Sequence, residues 1–276
     1  MIEIGKNNIL RANRSTDNGF YLIDEKENEV LLPNKYVPEG FKEGDEIDVF
    51  IYKDSEDRIV ATNLAPLARV GDFAFLRVKE VNKNGAFLDW GLEKDLMLPY
   101  REQSGNVESG KRVMVYVYFD IRTERIACSM KVADFLRMED IDFEEKEEVE
   151  LVIWKKTDLG YSAIINGKHE GLLYDNEIFT KIALGDKVPG YVKKIREDEK
   201  IDLTLQKPGI EKFGDNEELI LNNLKANGGF LALHDKSSPE DIKEQLSMSK
   251  KTFKKALGGL YKQRKIRLEV DGVHLV

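Results

Sequence analysis

Several landmarks of this chain recur at fixed intervals, and the recurrence restricts the fold more than any other feature. Gly19, Leu32-Pro33 and Gly44-Asp45 each stand 66 residues before Gly85, Leu98-Pro99 and Gly110-Lys111. Gly85, Leu98, Gly110 and Ile126 stand 75 residues before Gly160, Leu173, Gly185 and Ile201. Equal offsets at several landmarks mean tandem copies of one structural unit. The period is too long for a solenoid and has the size of a small domain.

The second copy is the best patterned. In Lys83-Asn84-Gly85-Ala86-Phe87-Leu88-Asp89-Trp90 a glycine in a polar turn leads into a strand. Then come Leu96-Met97-Leu98-Pro99, a Gly110-Lys111 turn, Val113-Met114-Val115-Tyr116-Val117-Tyr118 and Arg125-Ile126-Ala127-Cys128-Ser129. Short strands separated by turn signals indicate an all-β unit with room for five strands. At this point a barrel and a small sandwich both remain open. In the first unit the strands are expected at 9–13, 19–23, 29–32, 46–51 and 58–62, with an irregular loop at 33–40.

The period changes in the tail. Residues 216–227 carry apolar side chains near helical spacing and stop at Gly228-Gly229. Ser238-Pro239-Glu240-Asp241 is a helix start: a serine cap, proline in the first turn, then acids. That helix is expected to end near Leu246. A third covers 249–263, with Phe253, Ala256, Leu257 and Leu260 on its inner face. Residues 265–276 read as a hairpin turning at Asp271-Gly272. Three helices and a terminal hairpin describe a winged helix-turn-helix.

The expected domains are therefore 1–65, 66–136, 147–208 and 213–276, with Lys207-Pro208-Gly209 as the stop after the third. The acidic stretch within 133–150 reads as a solvated linker, partly helical near 133–138; the sharper alternative is an arm that competes with phosphate. The 276 residues suit several domains, and 41% hydrophobic residues suffice for packed cores. No run approaches 18 uncharged apolar residues and the start resembles no signal peptide, so a cytoplasmic protein without membrane contact is expected. The single cysteine, Cys128, reads as core filler.

Net charge is −8, but from residue 215 onward eleven Lys/Arg outnumber nine Asp/Glu. An acidic chain binds nucleic acid only through a local patch. The strongest patch is Lys250, Lys251, Lys254, Lys255, Lys262, Arg264, Lys265 and Arg267, with no acid between Lys250 and Arg267. Lys250/Lys254 and Lys251/Lys255 repeat at i, i+4 and share a helix face opposite the apolar one. In a winged helix this helix is the one that enters a groove.

The order Gly-x-aromatic-apolar, Leu-Leu-Pro or Gly-Leu-Leu-Tyr, Gly-Asp/Lys and Arg-Ile-x-x-Ser/Thr resembles the S1-type RNA-binding domain, an oligonucleotide-binding (OB) barrel. Its usual aromatic pair falls on Asn18 and Tyr21, Asn84 and Phe87, and Leu159 and Ser162. Its usual histidine falls on Pro33, Pro99 and Tyr174. Three such units and a winged helix resemble, over essentially the full length, the conserved virulence factor B family of bacterial RNA-binding regulators. The resemblance implies a mainly β fold, three tandem five-stranded S1-like OB barrels followed by an α+β winged-helix domain. It also implies RNA binding with effects on gene expression and no enzymatic activity.

OB faces bind single strands by stacking bases on aromatics while cations follow the phosphates. The family's base-stacking position maps to Tyr21 and Phe87. Arg58 and Arg125 enter the last strand beside that face. Arg77 joins them in the second unit, and Tyr174 is the corresponding candidate in the third. Phe73, Phe75 and Tyr52 are expected in barrel cores. The expected partner is single-stranded RNA; duplex DNA, or a protein-docking role on the ribosome or RNA polymerase, are the alternatives. His169, His234 and His274 are far apart, and no Cys/His metal spacing, phosphate loop or nucleophile elbow occurs. Neither catalysis nor a cofactor is expected.

Overall fold

The computed structural model describes residues 1–207 and 213–276, so the Pro208-Gly209 stop lies outside the described residues. The chain divides into two compact units, Met1–Arg137 and Met138–Val276. Among the described residues there are three closed five-stranded barrels and one three-stranded sheet with helices.

The first barrel holds β1 (Asn7–Thr16), β2 (Gly19–Ile23), β3 (Glu29–Pro33), β4 (Glu46–Lys53) and β5 (Ile59–Thr62). The second holds β6 (Phe73–Asn82), β7 (Gly85–Asp89), β8 (Leu96–Pro99), β9 (Arg112–Asp120) and β10 (Arg125–Ser129). The third holds β11 (Glu148–Thr157), β12 (Gly160–Ile165), β13 (His169–Tyr174), β14 (Lys187–Ile195) and β15 (Ile201–Thr204). Each closes in the order 1-2-3-5-4, with a parallel third-to-fifth pair and antiparallel pairs elsewhere. The barrel, not the sandwich, is the solution.

The repeat has a steric cause. Gly19, Gly85 and Gly160 do not sit in the turns; they open β2, β7 and β12 at φ 140°, 145° and 154°. A Cβ there would stand 2.0, 2.4 and 1.9 Å from the carbonyl oxygens of Leu32, Leu98 and Leu173. The close approach of neighbouring strands therefore demands glycine at each site. The first strand of every barrel is also irregular at the matching place, between Ala12 and Arg14, Val78 and Glu80, and Ile153 and Lys155. Such a bulge sharpens strand curvature and helps a short sheet to close.

Barrels one and two share apolar packing. Phe50, Tyr52 and Val60 belong to the first barrel but pack in the second barrel's cluster with Trp90 and Leu92. Burying large side chains of this kind stabilises by about 1.5–3 kcal/mol each. Lys35–Glu93 (2.5 Å), Lys53–Glu124 (3.2 Å) and Lys94–Asp57 (3.2 Å) surround the junction. Tyr52 is thus buried between barrels and not inside its own. Phe73 is buried as expected, yet it packs on the outer side against Tyr116 (4.8 Å between centroids), on which Phe135 stacks at 4.1 Å. Phe75 is half-buried.

In the second unit, the acidic stretch read as a linker contributes Phe143, buried in the third barrel's core with Ile141 packed against it. Lys146 donates its backbone N–H to Val192 O at 2.6 Å. The later part of that stretch therefore belongs to the barrel. The short turn Val132–Phe135, in the first unit, is a 3-10 helix.

The tail contains α1 (Phe213–Ala226), β16 (Phe230–Leu231), α2 (Pro239–Leu246), α3 (Lys250–Lys262), β17 (Ile266–Leu268) and β18 (Val273–Leu275), with sheet order β16-β18-β17. Ser238 caps α2 by accepting from Asp241 N, and Ser249 caps α3 by accepting from Thr252 N, both at 3.0 Å. Phe253, Ala256, Leu257 and Leu260 of α3 are buried with Ile220, Leu224, Ile242 and Leu246. The hairpin differs by one residue from the expectation. Leu268 pairs with Val273, and Glu269 N donates to Gly272 O at 2.9 Å, so the two-residue turn is Val270-Asp271. Gly272 is required for another reason: a Cβ there would lie 2.3 Å from Leu231 O.

Candidate nucleic-acid interface

Register defines one equivalent outward row in each barrel. In the second it runs Glu80–Phe87–Met97–Ala127–Tyr118, each residue facing the next across β6, β7, β8, β10 and β9. Ala86, Leu88, Leu96 and Leu98 point into the core, so Phe87 and Met97 between them must point out. Both are half-buried. Arg77 faces Asp89 one step away, is exposed, and forms no ion pair among the described residues. With Lys79, Asp89 and Ser109 it lines an open cleft of about 370 Å³. Tyr118, at the end of the row, is stacked with Phe135 (6.1 Å, 20°). An aromatic ring, a polarizable thioether and nearby cations are what an unpaired base and its phosphates require.

The first barrel's row is Arg14–Tyr21–Leu31–Val60–Tyr52. Half of it is closed, because Val60 and Tyr52 are buried at the junction. The other half is capped. The Arg14 guanidinium lies 3.8 Å from the Tyr21 ring centroid, and Glu29 holds it through two hydrogen bonds of 3.3 and 3.0 Å. Those bonds raise the Arg14 pKa and lower that of Glu29. Tyr21 is on the outer face, as expected, but one side of its ring is occupied.

The third barrel's row is Lys155–Ser162–Leu172–Asp202–Lys194, without an aromatic ring. Tyr174 faces Gly160, and its hydroxyl bonds both Arg196 and Asp202 (3.2 Å to the latter). Arg196 in turn grips Asp202 through two bonds of 3.1 and 2.7 Å. Tyr174 is therefore committed to a network containing an acid, a poor surface for phosphate. Tyr161 carries Lys156 over its ring at 4.1 Å, and Asp175 holds that lysine.

The two arginines that enter the last strands are engaged as well. Arg58 is tied to Asp54 by bonds of 2.9 and 2.7 Å and to Glu56 at 2.9 Å. Arg125 bonds Asp57 of the first barrel. Arg125 and Lys94 together hold the Asp57 carboxyl below the usual range, the Arg125 hydrogen bond contributing most.

On α3, Lys251, Lys254, Lys255 and Lys262 are exposed and Lys250 is half-buried, opposite the stripe of Phe253, Ala256, Leu257 and Leu260, and Arg264 just past the helix end is exposed. Among the described residues Lys250, Lys251, Lys254, Lys262 and Arg264 form no ion pair. The helix N-terminus is held by the Ser249 cap, and the Glu217 carboxylate of α1 lies against Gly259, its Oε1 1.9 Å from where a Cβ would stand. The wing tip gathers Glu269, Asp271 and His274, with ligating atoms within 4.8 Å of one another, but His274 already bonds Asp271 at 3.0 Å.

Sequence reasoning does not single out Met97, Lys94 or Arg14. A signal for Met97 exists, because Gly85 opposite Pro99 fixes Phe87 opposite Met97. Lys94 and Arg14 matter only through tertiary partners.

Comparison with known proteins places residues 4–64 and 70–130 in the S1 domain family and residues 218–275 in the CvfB-like winged helix domain family. The chain is 29% identical to YitL of Bacillus subtilis (strain 168), over 96% of this chain and 91% of that protein. It is 27% identical to Conserved virulence factor B of Staphylococcus aureus (strain N315), over 84% and 80% of the two. Among solved structures it is similar to a multidomain protein with nucleic acid binding domains from Streptococcus pneumoniae, at a TM-score of 0.44 and 24% identity, covering 99% and 98% of the chains.

Proposed function

The chain belongs to the CvfB family, S1 domains followed by a CvfB-like winged helix, and from that premise we propose an RNA-binding regulator that influences bacterial gene expression after transcription. The observation that carries this reading is the Phe87–Met97 pair on the open face of the second barrel, flanked by Arg77 and Arg125. Stacking there would hold one or two bases at about 1–3 kcal/mol each. The lysine face of α3 adds phosphate attraction from a separate module. Modules on one chain raise each other's effective concentration, so weak sites bind well together. The protein is assigned no catalysis of its own, and its place of action in this reading is the cytoplasm.

The test is fluorescence anisotropy at two salt concentrations with short single-stranded RNA, single-stranded DNA and duplex DNA. Salt-sensitive binding that favours RNA is expected. Binding confined to duplex DNA would transfer the function to α3, and absence of binding to all three would favour a protein-docking role. Labelled RNA incubated with divalent metal should keep its length.

A further inference from the structure

In the first unit two cations of the second barrel converge on one carboxylate of the first. Asp57 Oδ1 receives Lys94 Nζ at 3.2 Å, and Asp57 Oδ2 receives Arg125 Nη2. Lys94 Nζ is further fixed by Asp54 O at 2.6 Å. Asp57 sits at the tip of the β4–β5 turn in the left-handed region, φ 61°. Glu124 and Glu199 occupy the matching turns of the other barrels at φ 51° and 61°. Glu124 bonds Lys53, but of these three turn residues only Asp57 reaches the second barrel's cations.

The position of Arg125 gives this contact meaning. It lies two residues before Ala127 on β10, about 7 Å along the strand and on the same face. Ala127 pairs with Met97, which faces Phe87. The cation pair thus borders the open stacking platform at about the distance of a neighbouring phosphate. Arg125 is 55% and Asp57 45% exposed, so a ligand can reach both. Ion pairs this exposed are weak, whereas a bound phosphate gains from counterion release.

We propose that Arg125 and Lys94 form a phosphodiester-binding site for single-stranded RNA, and that Asp57 occupies it as a built-in phosphate mimic until RNA displaces it. The first barrel, whose own row is half closed and capped, thereby sets the affinity of the second. The proposal rests on the RNA-binding reading above and adds both a site and its mask.

The experiment is an anisotropy titration of the full chain with a short fluorescein-labelled single-stranded RNA of mixed sequence. It compares wild type, Asp57→Asn, Arg125→Ala and the double variant. Asp48→Asn serves as a control that changes the same charge on the same barrel away from Arg125. Asp57→Asn is expected to bind roughly two- to fivefold tighter than both wild type and the control. Its salt slope should steepen by about 0.7 for each further phosphate that the protein neutralises. In the Arg125→Ala background the gain should shrink to the part that Lys94 alone supplies. Unchanged or weaker binding by Asp57→Asn, a gain equal to that of Asp48→Asn, or a gain undiminished by Arg125→Ala would each overturn the mask. If wild type binds no RNA, the functional reading fails, and the mask fails with it.

Discussion

The indole of Trp90 meets the ring of Phe50 edge-on, with centroids 5.7 Å apart and planes at 82°, across the junction of the first two barrels. Trp90 Nε1 donates to Lys94 O at 2.6 Å, and Trp90 O accepts from Leu67 N at 2.7 Å. One residue therefore ties the second barrel's core, the linker between barrels and the loop that carries Lys94. The residue that ends the most recognisable stretch of the sequence is an anchor for the neighbouring barrel.

Trp90→Ala should cost about 3–5 kcal/mol. It should also uncouple the first two barrels, so that calorimetry resolves two transitions in place of one. A single transition with an unchanged midpoint would show that the junction contributes little.

Phe87 and Tyr21 occupy equivalent positions but should not contribute equally. Phe87→Ala is expected to weaken single-stranded RNA binding by about 1–3 kcal/mol, roughly five- to 150-fold, with the fold retained. Tyr21→Ala should cost clearly less, because Arg14 already covers its ring. Equal losses measured by anisotropy would mean that RNA removes the arginine.

On α3, Lys251→Ala with Lys254→Ala removes two exposed charges and no buried atom. Binding should weaken, and the salt slope should fall by about 0.7 for each phosphate left without its lysine. Circular dichroism and thermal midpoint should stay as in wild type. An unchanged slope would take the lysine face out of the interface.

Asp24 governs a predictable part of the acid stability. Its carboxylate accepts from Asn28 Nδ2 (2.8 Å), Asn28 N (3.0 Å) and Lys26 N (2.8 Å). These bonds, the Asn28 side chain first, hold its pKa far below the usual carboxylate range. A depressed folded pKa gives stability that is complete above the unfolded value of about 3.9 and is lost as pH falls through the folded one. Asp24→Asn should therefore lower the thermal midpoint at pH 7, and the gap to wild type should narrow steadily below about pH 4. A constant gap across the acid range would contradict this assignment.

Three barrels and a winged helix are legible in the chain because their causes are local or periodic. Gly19, Gly85 and Gly160 recur because a strand carbonyl crowds each one. Alternation along β7 and helical spacing along α3 announce which side chains face inward, whatever lies beyond them. A serine cap marks the start of α2 for the same reason. Gly272 reads as a turn residue and is not one, because glycine serves both tight turns and close backbone approach. Only the position of Leu231 separates the two.

The open or closed state of each outward face depends on tertiary structure alone. Tyr21, Phe87 and Tyr174 look equivalent as candidates, yet one is capped by a cation, one is open, and one is tied to Arg196 and Asp202. Arg58 and Arg125 both precede or open a final strand, but Arg58 pairs within its own turn whereas Arg125 meets Asp57, 68 residues away in another barrel. Periodicity records whether a side chain faces in or out. Which distant group then covers an outward side chain follows only from how the strands close and the first two barrels pack.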